Sequence, residues 1–150
     1  ARVISAAPAV RKKIEDVKLV CSGAGAAAIA CVDLMIALGL RRENVWMTDS
    51  KGVVSRKRLA GLDPSKAQFA QDTAATTLGE IVSGADIFLG LSAPKVLTRE
   101  LVAKMGDKPI VFALANPTPE ILPDEVKAVA DEVTGHVDDD GLVPVLRALL

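Results

Sequence analysis

The stretch CSGAGAAAIAC, residues 21–31, places two glycines two positions apart between an apolar run and a segment rich in alanine. The run before it, residues 17–22, is β-branched and apolar, which predicts a buried strand. The segment after it, residues 25–38, carries apolar side chains at three- and four-residue spacing and predicts a helix that ends at Gly39. The glycines therefore lie in a turn between a strand and a helix.

The turn reads G-A-G-A-A-A over residues 23–28, which matches the G-x-G-x-x-G/A fingerprint of dinucleotide-binding folds. Gly23 permits the tight turn, Gly25 lets the backbone approach a pyrophosphate, and Ala28 lets the helix pack closely. The helix start offers free N–H groups and the positive end of the helix dipole to the phosphates. The competing interpretation is a turn of small residues that holds no ligand, and the flanking strand and helix disfavour it.

Strand and helix patterns alternate along the rest of the chain. Further strands are predicted at 44–48, 85–91 and 109–115. Further helices are predicted after the caps Asp63, Thr77 and Thr98, over 122–133, and from about 142, with a short strand near 133–137. This alternation predicts one α/β domain over residues 1–150, Rossmann-like and doubly wound, with a mostly parallel sheet and helices on both faces.

The composition disfavours several classes of protein. Half of the 150 residues are hydrophobic, a quarter are charged and the net charge is −1, which is typical of a globular domain and not of a nucleic-acid-binding chain. No apolar stretch could span a bilayer without a charge, and residues 1–18 lack a signal-peptide pattern. Cys21 and Cys31 do not have metal-site spacing and are expected to be buried thiols. We therefore expect a cytoplasmic protein that binds neither membrane nor nucleic acid.

Polar residues follow the second predicted strand. Asp49 stands at its end, where folds of this kind place a carboxylate that accepts hydrogen bonds from the adenosine ribose. Ser50 and Lys51 come next, and Lys66 lies near the start of the following helix. A hydroxyl and two cations would suit the 2′-phosphate of NADP. The alternative is two ordinary solvated lysines, and spacing alone does not decide between these interpretations.

Two further loops follow the third and fourth predicted strands, at 90–94 and 113–119. Ligands bind at the carboxyl ends of the strands in open α/β sheets, so Ser92 is expected near the nicotinamide side of a dinucleotide. Asn116 precedes Pro117, which favours an extended backbone, and its carboxamide suits a ribose hydroxyl or a substrate carboxylate. The competing interpretation of Asn-Pro is a residue pair that starts a turn.

Four stretches together closely resemble the NAD(P)-binding domain of bacterial malic enzymes: residues 12–54, 62–70, 84–98 and 108–125. The motifs GAGAAAIA, DSKG and FALANP in combination are specific to that family. The similarity is strongest to the NADP-preferring kind that is often fused to a phosphotransacetylase-like domain. It extends over about residues 11–132, and the tail at 133–150 departs from the family pattern.

The resemblance implies oxidative decarboxylation of malate to pyruvate and carbon dioxide by the whole enzyme, with NADP (NAD as a second possibility), with Mg²⁺ or Mn²⁺, and in a homo-oligomer. The implied cofactor contacts fall on nine residues: Ala24, Gly25, Ala26, Ala27, Asp49, Ser50, Lys51, Lys66 and Asn116. The first four would lie against the dinucleotide and the next three around the adenosine ribose. The last two would lie at the 2′-phosphate and at the nicotinamide ribose on the substrate side.

The family's catalytic groups are expected outside this chain. Its proton-transfer tyrosine and lysine and its metal-binding carboxylates belong to a preceding domain, and this chain contains no tyrosine. The acidic pair in residues 14–16 matches the family's own KIED before the first strand and is not the metal-binding pair. We therefore expect a fragment that binds NADP without malate turnover. His136 and residues 138–140 are interpreted as surface residues.

Two alternatives remain open at this point. One is a non-catalytic nucleotide-binding or assembly module with the same fold. The other is a two-domain dehydrogenase of the glutamate or methylene-tetrahydrofolate type, which the DSKG and FALANP motifs disfavour.

Overall fold

A computed structural model of the chain describes residues 2–4, 12–116 and 118–128. Six strands form one sheet: β1 (Arg2–Ile4), β2 (Leu19–Ser22), β3 (Val45–Asp49), β4 (Gly52–Val53), β5 (Ile87–Gly90) and β6 (Ile110–Ala113). Their spatial order is β1-β6-β5-β2-β3-β4. The four central strands run parallel, and the two edge strands pair antiparallel with their neighbours.

Five α-helices lie in the described part of the chain: α1 (Ala26–Ala37), α2 (Pro64–Ala67), α3 (Leu78–Ile81), α4 (Arg99–Ala103) and α5 (Pro123–Lys127). Short 3-10 turns occupy Ile14–Asp16, Arg42–Asn44 and Arg56–Gly61. The capping predictions explain where the short helices start. The Asp63 side chain accepts a hydrogen bond from Lys66 N–H at the start of α2, and the Glu80 carboxylate accepts one from Thr77 N–H at the start of α3.

Two apolar layers cover the sheet because successive side chains of each strand point to opposite faces. The layer on the α1 side includes Leu19, Cys21, Ala28, Val32, Met47 and Phe69. The layer that α3 and α5 cover includes Val20, Ile81, Phe88, Val111 and Val126. The sheet is thus buried on both faces, as parallel sheets usually are. The predicted Rossmann-like α/β fold, with a mostly parallel sheet and helices on both faces, is confirmed.

The element boundaries differ from the predictions in several places. Three observed strands are shorter than predicted: β2, β5 and β6 were expected at 17–22, 85–91 and 109–115. The strand β3, expected at 44–48, begins and ends one residue later. The edge strands β1 and β4 were not predicted, because two or three residues carry too little periodicity to be recognised. The predicted elements beyond residue 128 lie outside the described residues.

One expectation about the cysteines is wrong. Cys21 is buried, and burial raises the pKa of its thiol to about 12. Cys31 is exposed on α1. Apart from Asp33, every residue of α1 is apolar, so its periodicity hardly shows which face points to the sheet.

The strand order creates a crevice at one edge of the sheet. The chain passes from β2 to β3 on one side and later returns to β5 on the other side of β2. The segments that leave β2 and β5 therefore diverge at the carboxyl ends of these two strands. This is the topological switch point at which open α/β sheets bind their ligands.

Candidate dinucleotide-binding site

A cavity of about 600 Å³ opens at this switch point. Its walls come from the turn after β2, the turn after β3, the first turn of α2 and the loop after β5. Seven of the eleven residues predicted for the site line it: Gly23, Ala24, Gly25, Asp49, Ser50, Lys66 and Ser92. The structure therefore brings together most of the residues that the sequence singled out.

The other four predicted residues do not line this cavity. Ala26 and Ala27 are the first two residues of α1, directly behind the cavity wall, and both are exposed. Lys51 is exposed in the turn between β3 and β4. Asn116 is exposed in the loop after β6, and Pro117 lies outside the described residues.

The two fingerprint glycines are required for different reasons. Gly23 has a φ of +121°, and a Cβ added there would lie 2.9 Å from the carbonyl oxygen of Leu91. Both the backbone conformation and the approach to the β5 loop therefore need glycine. Gly25 has an ordinary φ of −83°, and a Cβ there would meet no protein atom within 4 Å. Its missing side chain leaves open space in the cavity wall instead of relieving strain.

The N-terminus of α1 supplies hydrogen-bond donors next to that open space. Gly25 is the N-cap and offers no side chain to cap the helix. The first backbone bond of the helix runs from Ile29 N–H to Gly25 O at 3.0 Å, so the preceding N–H groups lack acceptors within the helix. Donors that point outward and the positive dipole end favour an anion. This part of the site fits the diphosphate of a dinucleotide.

Asp49 is held by an arginine that the sequence analysis did not single out. Arg58 Nη2 donates to Asp49 Oδ1 at 2.9 Å and to Oδ2 at 2.8 Å. Its Nη1 donates to the carbonyl oxygens of Gly52 and Val53 at 3.1 and 2.8 Å. The N–H of Lys51 donates to Asp49 Oδ1 at 2.8 Å. Both carboxylate oxygens are therefore engaged within the protein.

These contacts set the charge of the site around β3. Burial alone would raise the pKa of Asp49, but the hydrogen bonds from Arg58 and Lys51 and the Arg58 charge outweigh it. The pKa therefore lies below its ordinary value, and Asp49 is an anion whose charge Arg58 balances. The basic run RKR at 56–58 indicates that a cation lies near Asp49, although its spacing does not show which of the three side chains pairs with the carboxylate.

Lys66 brings a positive charge to the same part of the cavity. It lies in the first turn of α2, whose start the Asp63 cap and Pro64 determine. Its ammonium lies 3.6 Å from Asp63 Oδ2, a loose and partly exposed ion pair. Such a pair contributes little to stability, so the ammonium is free to serve an anion in the cavity.

The opposite wall of the cavity is fixed by contacts between β2 and the β5 loop. The hydroxyl groups of Ser22 and Ser92 are hydrogen-bonded at 2.7 Å, and Leu91 N–H donates to Ser22 O at 2.9 Å. Behind this wall lies Glu120, a fully buried carboxylate that the sequence analysis also did not single out. Nothing in the local pattern NPTPE distinguishes a buried glutamate from an exposed one.

The described residues contain neither a candidate metal-binding cluster nor a candidate membrane-spanning helix. Within residues 2–4, 12–116 and 118–128, no three or more His, Cys, Asp or Glu side chains form a group that could hold a metal ion. His136 and the acidic residues 138–140 lie outside this range. No helix in the described part of the chain is long and apolar enough to cross a membrane.

The fold and the glycine turn define a Rossmann-like α/β domain. The family described as the NAD-binding domain of malic enzyme matches residues 1–143, and the chain belongs to this family. The resemblance inferred from the motifs is thereby confirmed, and the family match is longer than the expected residues 11–132, because it also includes residues 1–10 and 133–143.

Similar proteins carry both cofactor names. The NADP-dependent malic enzyme of Escherichia coli (strain K12) is 48% identical over 142 residues, covering 92% of this chain and 19% of that protein. The NAD-dependent malic enzyme of Rhizobium meliloti (strain 1021) is 46% identical over 141 residues, covering 92% and 18%. The chain thus spans about a fifth of the length of these relatives.

A solved structure shares the fold. The NAD-dependent malic enzyme of Thermotoga maritima aligns with a TM-score of 0.70 and 35% identity, covering 79% of this chain and 32% of that chain. The choice between NADP and NAD, the cytoplasmic location and the oligomeric state stay predictions.

Proposed function

We propose that this chain is the cofactor domain of a malic enzyme and that it binds NADP in preference to NAD. The observation that carries the proposal is the junction of β2 and α1. There Gly25 leaves open space in the cavity wall, and the uncapped helix start supplies N–H donors at the switch point of the sheet. A diphosphate seated there would extend its adenosine half toward the end of β3 and its nicotinamide half toward the β5 loop.

The preference for NADP rests on the charges near the end of β3. An unpaired Asp49 carboxylate would repel a 2′-phosphate, but the two-bond pair with Arg58 balances its charge. Lys66 and Ser50 line the same part of the cavity and add a cation and a hydroxyl. A hydrogen bond to a charged group is worth about 1.5–3 kcal/mol, which corresponds to at least roughly tenfold in affinity.

In the whole enzyme, the proposed reaction is the oxidative decarboxylation of malate to pyruvate and carbon dioxide. When bound, the dinucleotide supplies the hydride acceptor. The residues of this chain bind and orient it: α1 holds the diphosphate, the β3 end selects the ribose phosphate, and Ser92 and Asn116 lie on the nicotinamide side. We place the proton-transfer groups and the ligands of the divalent metal outside this chain.

The binding claim is tested by titrating the full chain with NADPH and, separately, with NADH. Trp46, the only tryptophan of the chain, lies on β3 and serves as the donor for energy transfer to the reduced nicotinamide. We expect saturable binding of both cofactors, with NADPH tighter by roughly tenfold. Absence of binding in both titrations, repeated by calorimetry, would contradict the proposal and favour an assembly module with the same fold.

The reaction claim needs the missing partner domain. We expect the chain alone to form no NADPH from malate and NADP. Addition of the catalytic domain of a related malic enzyme with Mn²⁺ should give malate-dependent NADPH formation, which the Gly25→Val variant should abolish. Cofactor binding without NADPH formation in a verified complex would contradict the malic-enzyme reaction and leave the binding proposal standing.

A further inference from the structure

Glu120 connects the two loops on the nicotinamide side of the cavity. It lies between β6 and α5, and its side chain is completely buried. Oε1 accepts a hydrogen bond from Ser92 N–H in the β5 loop at 3.1 Å. Oε2 accepts one from Ala115 N–H in the β6 loop, also at 3.1 Å. One carboxylate therefore holds the second residue of each of two loops that leave neighbouring strands.

The surroundings of Glu120 are built to accommodate this contact. A Cβ on Gly90, the last residue of β5, would lie 2.3 Å from Glu120 Cδ. The carboxyl group therefore occupies the space that any other residue at position 90 would fill. The backbone adds to the connection, because Leu97 N–H donates to Glu120 O at 3.0 Å and Lys95 N–H donates to Pro119 O at 3.2 Å.

The connection reaches two of the residues predicted for the site, of which Ser92 lines the cavity and Asn116 does not. Ser92 lines the cavity and is hydrogen-bonded through its hydroxyl to Ser22, at the end of β2. Asn116, the predicted contact of the nicotinamide ribose, directly follows Ala115. By contrast, Glu120 does not line the cavity and has no surface that a ligand could touch.

We propose that Glu120 is a positioning residue that clamps the β5 and β6 loops so that Ser92 and Asn116 face the nicotinamide half of the cofactor. This inference rests on the proposed function. A carboxylate suits the role because it accepts hydrogen bonds at both oxygens and donates none. A glutamine of the same shape would turn an NH₂ group toward one of the two backbone N–H donors, and that loop would lose its acceptor.

The experiment compares two probes on the full chain, the complete cofactor NADPH and its adenosine half, 2′,5′-ADP. Glu120→Gln should weaken NADPH binding by roughly tenfold, the effect of losing one hydrogen bond between the released loop and the nicotinamide half of the cofactor. It should change the affinity for 2′,5′-ADP by less than about twofold, because the β3 end of the site does not depend on Glu120. A variant that merely loosens the fold would weaken both probes together.

Asp86→Asn is the matched control. Asp86 is also a buried carboxylate that accepts a hydrogen bond from a backbone N–H, that of Lys18 at 2.9 Å. It lies directly before β5, at the amino-terminal ends of the parallel strands, whereas the cavity lies at their carboxyl ends. We expect this variant to lower the melting temperature without changing the ratio of the two affinities.

A measurement on the unmutated chain keeps the test independent of how the variant folds. Hydrogen exchange of the Ser92 and Ala115 amides should be slow in the chain without ligand, and Glu120→Gln should accelerate at least one of them. Fast exchange at both amides in the unmutated chain would overturn the proposal. Parallel loss of both probes, or no loss of either, in Glu120→Gln would overturn it as well. An unmutated chain that binds neither probe would instead contradict the proposed function, and the positioning role would fall with it.

Discussion

The two ends of the cavity are built in different ways. At the end of β3, partly buried charged side chains lie around the cavity: Asp49 and Arg58 form a pair with two hydrogen bonds, and Lys66 lies beside them. At the ends of β5 and β6, the charge is fully buried, and within the described residues the Glu120 side chain is hydrogen-bonded only to backbone N–H groups. The first end presents charges to a ligand, whereas the second uses a charge to hold the backbone.

This difference separates selection from positioning. Charges around the cavity act on a ligand through distance and sign, so substitutions at the β3 end should change which cofactor binds. A buried acceptor acts through loop geometry, so substitutions at the β5 and β6 end should change how well the distal half of any dinucleotide is held. The α1 N-terminus lies between the two ends and should be needed by every dinucleotide.

The largest effect is expected at Gly25. Gly25→Val adds a branched side chain to the open space beside the helix start. The affinities for NADPH and for NADH should each fall by at least roughly a hundredfold. The fold should persist because a Cβ at this position meets no protein atom and φ is ordinary. Calorimetry measures the affinities, and circular dichroism checks the fold.

Gly61→Val is the control for this substitution. A Cβ at Gly61 also meets no protein atom within 4 Å, and Gly61 does not line the cavity. It should leave both affinities unchanged. Equal binding by the Gly25→Val variant and the unmutated chain would place the diphosphate elsewhere.

The next effect is expected at Arg58. Arg58→Gln removes the charge that balances Asp49, so a 2′-phosphate would meet an unbalanced carboxylate. NADPH affinity should fall by roughly tenfold to a hundredfold, whereas NADH affinity should hold or rise. Restoration of NADPH binding by the second substitution Asp49→Asn would show that repulsion by Asp49 was the cause.

Arg56→Gln is the matched control in the same basic run. Arg56 is exposed and is not among the residues paired with Asp49. It should change neither affinity. Parallel losses for NADPH and NADH in Arg58→Gln would mean that the arginine supports the loop and not the cofactor choice.

A smaller effect separates the two lysines near the end of β3. Lys66 lines the cavity and Lys51 does not, so Lys66→Ala should account for most of the loss of NADPH affinity in a variant that carries both Lys51→Ala and Lys66→Ala. We expect a loss of about threefold to tenfold for Lys66→Ala, in the range of exposed charge contacts, and little change in NADH binding. A larger NADPH loss in Lys51→Ala would show that the turn after β3 closes over the ligand.

The smallest effect concerns the start of α3, which borders the cavity through Leu78. Backbone and hydroxyl hydrogen bonds from Thr76 and Thr77 lower the pKa of Glu80 to about 2. Because the folded-state pKa is depressed, this carboxylate stabilises the fold at pH values above its ordinary pKa near 4.5. That contribution is lost as the pH falls toward 2.

Thermal unfolding measures this contribution as a function of pH. The melting temperature of the unmutated chain should fall more steeply between pH 4.5 and 2 than that of Glu80→Gln. Cofactor affinity at neutral pH should be the same for both. Identical melting profiles over that interval would contradict the assignment.

The comparison also shows what the sequence could reveal. The turn at 23–28, Asp49 and Lys66 were recognised because their signals are local: a fingerprint between two periodic segments, a strand end and a helix cap. Arg58 and Glu120 were not, because their partners are set by the chain folding back. Glu120 and Ser92 are hydrogen-bonded although they lie 28 positions apart, and no local pattern around either residue predicts this contact.

The edges of the sheet were missed for a related reason. The pairing of β4 with β3 requires only Asp49, Gly52 and their neighbours, and the pairing of β1 with β6 joins segments far apart in the chain. A continuous apolar run identifies strands that are buried on both faces, such as β2 and β5, much better than it identifies short edge strands. The exposure of Cys31 was missed because α1 is apolar at every position except Asp33.

The measurement that tests the account most directly is a map of backbone amide chemical shifts as NADPH is added to the full chain. The largest changes should fall on residues 25–28 at the start of α1, on the turn at 49–52, and on Leu91 and Ser92. The chemical shifts of amides at the amino-terminal ends of the parallel strands, such as those of Lys18 and Asp86, should hardly change. Saturable shift changes centred on those amino-terminal strand ends or on the exposed face of α1, with residues 25–28 unaffected, would contradict binding at the switch point.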